Sequence, residues 1–306
     1  MIDITLENFQ SELIDGSMTT PVLLDIWAEW CGPCKQLGPV LEKLEVDYAG
    51  RFTLAKLDAD KVPQISQQLS QMFGVRSIPF CVMFKDGQPV DGFVGAIPAA
   101  EIRTFLDKHV PAAEALEAAA EEEAAQDALA EGDTEGALEK LQHAVATDPA
   151  NDDARFDYIK LLLQEGRDDD AKVAFAPVID KTALVRRFDA LQRWMDAIDF
   201  AAPAVGTPPV LAELDAKIAA AKRDFQARFD RARLLMAAQQ WPAAMDELLE
   251  ILMRDKTWNE EVARKTYVAI LEIIEPAKVK VADGQIPPVD PTVSTYRRRL
   301  SSVVLS

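Results

Sequence analysis

The segment DIWAEWCGPCK places Cys31 and Cys34 two residues apart, and no other residues in the chain carry chemistry so directly by type and spacing. Such a pair can hold a metal, form a structural disulfide or cycle electrons. A structural zinc site needs about four ligands, usually from two such pairs. Only one pair exists here, and Cys81 with the scattered His109 and His143 is a poor remainder, so no metal is expected. A permanent disulfide across two residues closes too small a loop to stabilise much. Redox exchange remains: the pair follows an apolar run and opens a helical pattern, where C-x-x-C reads as a dithiol–disulfide centre.

The chemistry dictates what that position supplies. A thiolate is the attacking species, and the unpaired N–H groups and partial positive charge of a helix N-terminus stabilise it. Cys31 is expected at that terminus, partly exposed, to attack a disulfide in a client protein. Cys34, one turn inward and shielded, is expected to resolve the mixed disulfide. Pro33 removes a backbone donor near the pair, which favours a more reducing dithiol.

The elements around the pair follow from hydrophobic periodicity. PVLLDIWA and FTLAKLDAD read as buried strands, and PFCVMFKDGQPVDGFVG as a hairpin turning at KDGQ. CKQLGPVLEKLEVDYAG and QISQQLSQMFG have helical spacing, each closed by a glycine. AAEIRTFLDKHV is a last helix, stopped by Pro111. The order β-α-β-α-β-β-α, with an extra N-terminal element, predicts an α/β domain over residues 1–110: a mixed sheet flanked by helices.

Beyond residue 110 the strands vanish. Residues 111–128 read as a solvated helical connector, almost pure helix former with glutamates outside. Then LAEGDTEGALEKL at 129–141 is echoed by LQEGRDDDAKVAF at 163–175, so Gly132 and Gly166 stand 34 residues apart, as do Ala137 and Ala171. That is the tetratricopeptide period, one antiparallel helix pair per unit. Ala137, Ala144 and Pro149 fall where the repeat needs close helix contact and a turn. A weaker echo, AAQQWPAAMDEL at 237–248, extends the count to three or four units, one degenerate and interrupted by FAAPAVGTPP. Residues 129–306 are therefore predicted to be an all-α helical solenoid, a surface that binds peptides or proteins more often than it catalyses.

Composition narrows the class. Against 51 acidic residues stand 33 basic ones, a formal charge of -18, which argues against nucleic acid or an anionic membrane as partner. The start, MIDITLENFQ, shows no secretory signal pattern, and no apolar run approaches the ~18 residues that span a bilayer. Three cysteines are no disulfide scaffold, and a cytoplasmic location is expected.

The stretch LLDIWAEWCGPCKQLGPVLEKL resembles the thioredoxin active-site segment nearly residue for residue. The resemblance implies catalytic roles for Cys31, Cys34, a buried Asp25 that relays a proton from Cys34, and Lys56 close to Asp25. It also implies a client-docking surface of Trp30 packed beside Cys31, Gly32, Pro33, Ile78, a cis Pro79, and Gly95. No cofactor is implied beyond the Cys31–Cys34 disulfide itself. One departure is Phe80 where thioredoxins usually place a small hydroxyl residue, so a bulky side chain is expected on the docking surface. Cys81 beside it reads as a buried strand cysteine.

A thioredoxin-like domain joined to degenerate repeats and ending in STYRRRLSSVVLS resembles the bacterial chaperedoxins, the YbbN/CnoX group, as do SMTTPVLLDIW and DGQPVDGFVGA. That resemblance implies a redox-active chaperone that holds unfolding client proteins, exchanges disulfides with their cysteines, and passes them to DnaK and GroEL-type systems. Thioredoxin reductase is a further expected partner. The alternative is a dedicated disulfide reductase whose repeats recruit one protein substrate. In the tail, Val293, Tyr296, Leu300, Val303 and Val304 share a helical face beside Arg297, Arg298 and Arg299. Tyr296, Arg297, Arg298, Leu300 and Val304 are expected to contact a chaperonin, or the helix to cap the repeats.

Overall fold

The computed structural model describes residues 1–202, 210–276 and 289–305. The chain divides into two compact units, Met1–Glu117 and Ala118–Ser306.

In the first unit, strands β1 (Ile2–Asp3), β2 (Val22–Trp27), β3 (Thr53–Asp58), β4 (Phe80–Lys85) and β5 (Gln88–Val94) form one mixed sheet in the order β1-β3-β2-β4-β5. A short helical segment, Phe9–Asp15, leads into β2. Helices α1 (Gly32–Asp47), α2 (Pro63–Phe73) and α3 (Ala99–His109) complete the order expected from the sequence. β2 runs parallel to β3 and antiparallel to β4, so it is covered on both edges and its residues are almost all buried. A strand so enclosed must be apolar on both faces, which explains VLLDIW and makes its one charged residue, Asp25, conspicuous. The β4–β5 hairpin turns at Asp86 and Gly87, both at positive φ (53° and 75°), the backbone that the right-handed twist of the strands favours. α2 ends on Gly74 in the left-handed conformation, as its glycine implies. α1 does not end that way: Ala49 already turns left-handed, one residue ahead of Gly50.

Helix α4 (Ala113–Ala130) begins in the first unit and continues into the second, where α5 (Thr134–Thr147), α6 (Asp152–Gln164) and α7 (Asp168–Phe175) precede α8 (Arg186–Ala201) and α9 (Leu211–Ala220). α10 (Phe225–Ala237), α11 (Trp241–Leu252), α12 (Trp258–Ile274) and α13 (Pro291–Leu305) follow. The connector expected over 111–128 is corrected here. α4 buries Ala118, Ala125 and Ala128, and Ala118 packs with Ala144 of α5 and Ala154 of α6. Its alanines let helices approach closely, so what reads as bland helix former is a helix packed on α5 and α6 through Ala118. Ala137, Ala144, Ala171 and Ala244 are all fully buried, as the repeat requires.

The repeats share one turn. Gly132 N–H donates to Leu129 O and Asp133 N–H to Ala128 O; Gly166 with Arg167 and Gln239 with Gln240 repeat the same pair of bonds at equivalent positions. The first residue of each is left-handed, with φ 83°, 70° and 56°. Any side chain there costs about 1–2 kcal/mol. Gln239 bears that cost while its Nε2 donates to the Gln164 carbonyl at 3.1 Å. Gly166→Ala, which can add no such bond, is expected to destabilise the second unit by about 1 kcal/mol, read as a lower urea midpoint. An unchanged midpoint would mean that the turn is not held left-handed.

Strict sequential stacking does not describe the whole unit. α8 packs against α6, α10 and α12 together and carries Trp194, fully buried, edge-on to Trp241 at 4.8 Å. The predicted interruption FAAPAVGTPP lies largely outside the described residues, at 203–209.

Candidate functional site

Cys31 is the residue that caps the N-terminus of α1, and its sulfur accepts the Cys34 N–H at 3.2 Å. Pro33 sits in the first helical turn, where a missing N–H costs nothing. The two cysteines are joined as a disulfide, with Cα atoms 5.3 Å apart. The expected contrast in exposure is not found: each is 4% exposed. What distinguishes them is position. Cys31 sulfur receives a backbone donor at the helix end, the place where negative charge is best tolerated.

Ala28, Trp27 and Ile78 pack around the pair. The Ile78–Pro79 peptide is cis, and Gly95 N–H donates to the Pro79 carbonyl at 2.8 Å, so two loops are tied together beside the disulfide. Gly95 itself is left-handed (φ 90°), with open space where a Cβ would stand. Gly32 likewise has open space where a Cβ would stand. Trp30 is 71% exposed and its Nε1–H donates to Asp60 Oδ2 at 2.8 Å, while Trp27 packs against the cysteines from the end of β2. Phe80 is also corrected: it is 1% exposed and stacks edge-on with Phe73 inside the core, so no bulky group faces a client from that position. β4 is covered on both faces, so Phe80 on one and Cys81 on the other are both buried.

Behind the disulfide the sheet register sets a second layer. Asp25 lies opposite Lys56 of β3 and opposite Cys81 of β4. Residues facing each other across strands share a face of the sheet, with side chains in reach. The Cys81 thiol donates to Asp25 Oδ1 at 3.8 Å. Lys56 Nζ donates to Glu42 Oε1 of α1 at 2.6 Å, so the lysine expected near Asp25 is held there by a carboxylate from the helix. Cys34, Gly38 and Glu42 follow at i, i+4 and i+8 down one face of α1. A Cβ on Gly38 would lie 3.6 Å from Lys56 Nζ, so this face covers Lys56. Cys34 therefore stands one turn above the Asp25–Lys56 layer.

Asp25 is 1% exposed. Burial raises its pKa from the ordinary 3.8 to about 6; the Lys56 ammonium and the Cys81 hydrogen bond oppose the rise, and Glu42 adds to it. The site thus holds a carboxyl group that changes protonation near neutrality, behind a sulfur that must lose a proton to react. Burial and the neighbouring Asp25 push the Cys81 thiol well up, so it stays protonated and serves as a donor. Sequence reasoning missed Glu42 and Trp27 and the bond from Cys81. The i+8 spacing from Cys34 was the available signal for Glu42, and for Cys81 it was the pairing of β2 with β4.

In the second unit the C-terminal helix turns its apolar face inward. Val293 and Tyr296 are buried, and Leu300 and Val303 pack on the same core, while Val304 is exposed. Tyr267 donates its hydroxyl to the Tyr296 carbonyl at 2.8 Å, and the Tyr296 hydroxyl lies 3.1 Å from Asp246 Oδ1. Arg297 pairs with Glu275, and Arg299 with Asp246 at 2.6 Å. Arg298 forms no ion pair among the described residues and is exposed. Among the described residues, no group of three or more His, Cys, Asp or Glu is placed to hold a metal, and no helix is long and apolar enough to cross a membrane.

A disulfide at the head of α1, a cis Ile78–Pro79 peptide whose isoleucine packs against it and a buried carboxyl on the central strand define the first unit as a disulfide-exchange domain of the thioredoxin fold. The thioredoxin family model matches residues 1–108, and two tetratricopeptide-repeat models match residues 128–195 and 205–304. A thioredoxin of Chlorobaculum thiosulfatiphilum is 45% identical over 106 residues, covering 35% of this chain and 93% of that protein. Thioredoxin 1 of Nostoc sp. is 39% identical over 107 residues, 35% of this chain and 94% of its own length. A thioredoxin of Staphylococcus aureus is 42% identical over 110 residues, 36% of this chain and 98% of its own. The chain belongs to the thioredoxin family and carries its disulfide redox function on the Cys31–Cys34 pair, with tetratricopeptide repeats following.

Proposed function

We propose that this protein is a redox-active chaperone of the chaperedoxin kind, which holds unfolding proteins and exchanges disulfides with their cysteines. The observation that carries the reading is a complete dithiol site in a chain whose second unit, Ala118–Ser306, matches tetratricopeptide repeats and shows no catalytic constellation among its described residues. Three large apolar side chains, Val173, Ile179 and Leu184, stand 76%, 53% and 87% exposed within twelve residues of that unit and offer contact to unfolded segments. The charge of -18 keeps a loaded complex soluble.

In the exchange reaction, the Cys31 thiolate attacks one sulfur of a client disulfide and expels the other client sulfur as a thiolate. Cys34 then gives its proton to Asp25, and its sulfur attacks Cys31 sulfur, forming the intramolecular disulfide and releasing the second client thiolate. Two electrons pass from the pair to the client, and an external dithiol reductant, such as thioredoxin reductase, returns them. Ile78, Pro79, Gly95, Gly32, Pro33 and Trp30 provide the docking surface. Hand-over to GroEL-type and DnaK systems in the cytoplasm completes the proposal. For the C-terminal helix it leaves Arg298 and Val304 as the outward residues, because Tyr296, Leu300 and Arg297 are engaged within the unit.

The test is aggregation of a heated, cysteine-free client in the presence of the intact protein or its Cys31→Ser/Cys34→Ser double variant. Equal suppression by both is expected. No suppression by either would replace the holdase with a dedicated reductase whose repeats recruit one substrate.

A further inference from the structure

The bond between Cys81 and Asp25 belongs to no step described so far, and it is set by the fold. β2 and β4 pair antiparallel with Asp25 and Cys81 directly opposed, and both side chains are buried, at 1% and 0% exposure. The position of Cys81 is itself pinned: a Cβ on Gly92 of the adjacent strand would stand 2.8 Å from the Cys81 carbonyl, so β5 presses against β4 there. A buried thiol next to a carboxylate is of no use as a nucleophile. It is, however, a protonated donor with one acceptor in reach, Asp25 Oδ1 at 3.8 Å.

The geometry points to Cys81 as a positioning residue for disulfide exchange: its S–H fixes the Asp25 carboxylate and favours the ionised form that takes the proton from Cys34. The inference rests on the proton-relay role proposed for Asp25. The groups that face Asp25 are few. Lys56 comes from β3, Cys81 from β4 and Glu42 from α1, with Lys56 and Cys81 favouring its charge and Glu42 opposing it. Lys56 divides its charge between Asp25 and the 2.6 Å pair with Glu42, which leaves Cys81 as the donor to Asp25 in the buried layer. A hydrogen bond to a carboxylate in such surroundings is worth more than one in water.

Two measurements on the full chain test this. In the oxidised protein, the Asp25 side-chain carbon is titrated by NMR. The reduced protein is mixed with the bis(nitrobenzoate) disulfide of 2-nitro-5-thiobenzoate, which Cys31 cleaves with loss of one thiolate to leave a mixed disulfide, and release of the second thiolate chromophore by Cys34 is followed from pH 5 to 9. Cys81→Val is expected to raise the Asp25 midpoint by about one pH unit and move the rate profile with it, slowing release several-fold near pH 6. Cys81→Ser, whose hydroxyl can donate, should restore both, and Cys81→Ala serves where valine fails to fold. A merely structural Cys81 would alter stability in the valine and serine variants but leave the midpoint in place. An unmoved midpoint with a rate profile that does change in Asp25→Asn overturns the inference alone. A rate profile untouched by Asp25→Asn overturns the relay role, and the inference with it.

Discussion

Cys31→Ser is expected to abolish reduction of a protein disulfide, a loss on the order of 10³-fold or more, down to the uncatalysed rate. The attacking atom must become part of an S–S bond, and a hydroxyl oxygen cannot. The position is prepared for a thiolate: Cys31 sulfur already accepts the Cys34 N–H at 3.2 Å at the head of α1. Cys34→Ser should behave differently, because the first attack needs only Cys31. That variant is expected to stop after one exchange with the client bound covalently, seen as a mixed-disulfide band that a reducing agent removes. Equal exposure of the two sulfurs, 4% each, makes this a real discrimination. Exposure cannot say which one attacks, but capping geometry can. A Cys34→Ser protein that turns over freely, or a Cys31→Ser protein that traps clients, would reverse the assignment.

How far the sequence reached is best seen at single positions. The α/β order, the β4–β5 hairpin turn and the Cys31–Cys34 centre are local signals: strand alternation, an Asp–Gly pair that accepts positive φ, and a short cysteine spacing. Gly132 and Gly166 announced the repeat through their shared period, and the third turn showed only as a weaker echo because Gln239, a non-glycine, holds the left-handed backbone there at φ 56°. The misread positions depend on what lies across space. Trp27 and Trp30 are three residues apart in one segment, and only the fold shows that Trp27, at the end of its strand, packs against the cysteines. Phe80 seemed a docking residue because it follows the cis proline, whereas it opens a strand covered on both faces and is buried with it. For α4, alanine is both the best helix former and the smallest contact residue, so its sequence does not separate a solvated connector from a packed helix. Glu42 came from another element altogether, joined to Lys56 only by folding.

Asp25→Asn is the other change with a large expected effect, and it runs opposite to the usual direction for a core substitution. Burial lifts the Asp25 pKa from 3.8 to about 6, so the folded protein binds this proton more tightly than the unfolded chain. Stability from this group is therefore fully present below about pH 4. It falls as pH rises toward 6 and levels off above it, where the folded state must hold a buried carboxylate. A shift of about two units corresponds to roughly 3 kcal/mol at most. Asn keeps the shape without the charge. The variant should gain roughly 2 kcal/mol over the natural protein at pH 8 and little at pH 4, measured by urea unfolding with the disulfide intact. A gain of the same size at both pH values would trace it to packing instead of charge. The same substitution should slow the Cys34 step near neutral pH by about tenfold or more, since no group remains to accept its proton. A site that gives up stability at neutral pH and loses rate when that stability is restored is what retention of an ionised, buried Asp25 on the central strand requires. Were the Asn variant both more stable and equally fast, the carboxylate would have no role in exchange, and its burial at 1% exposure would need another cause.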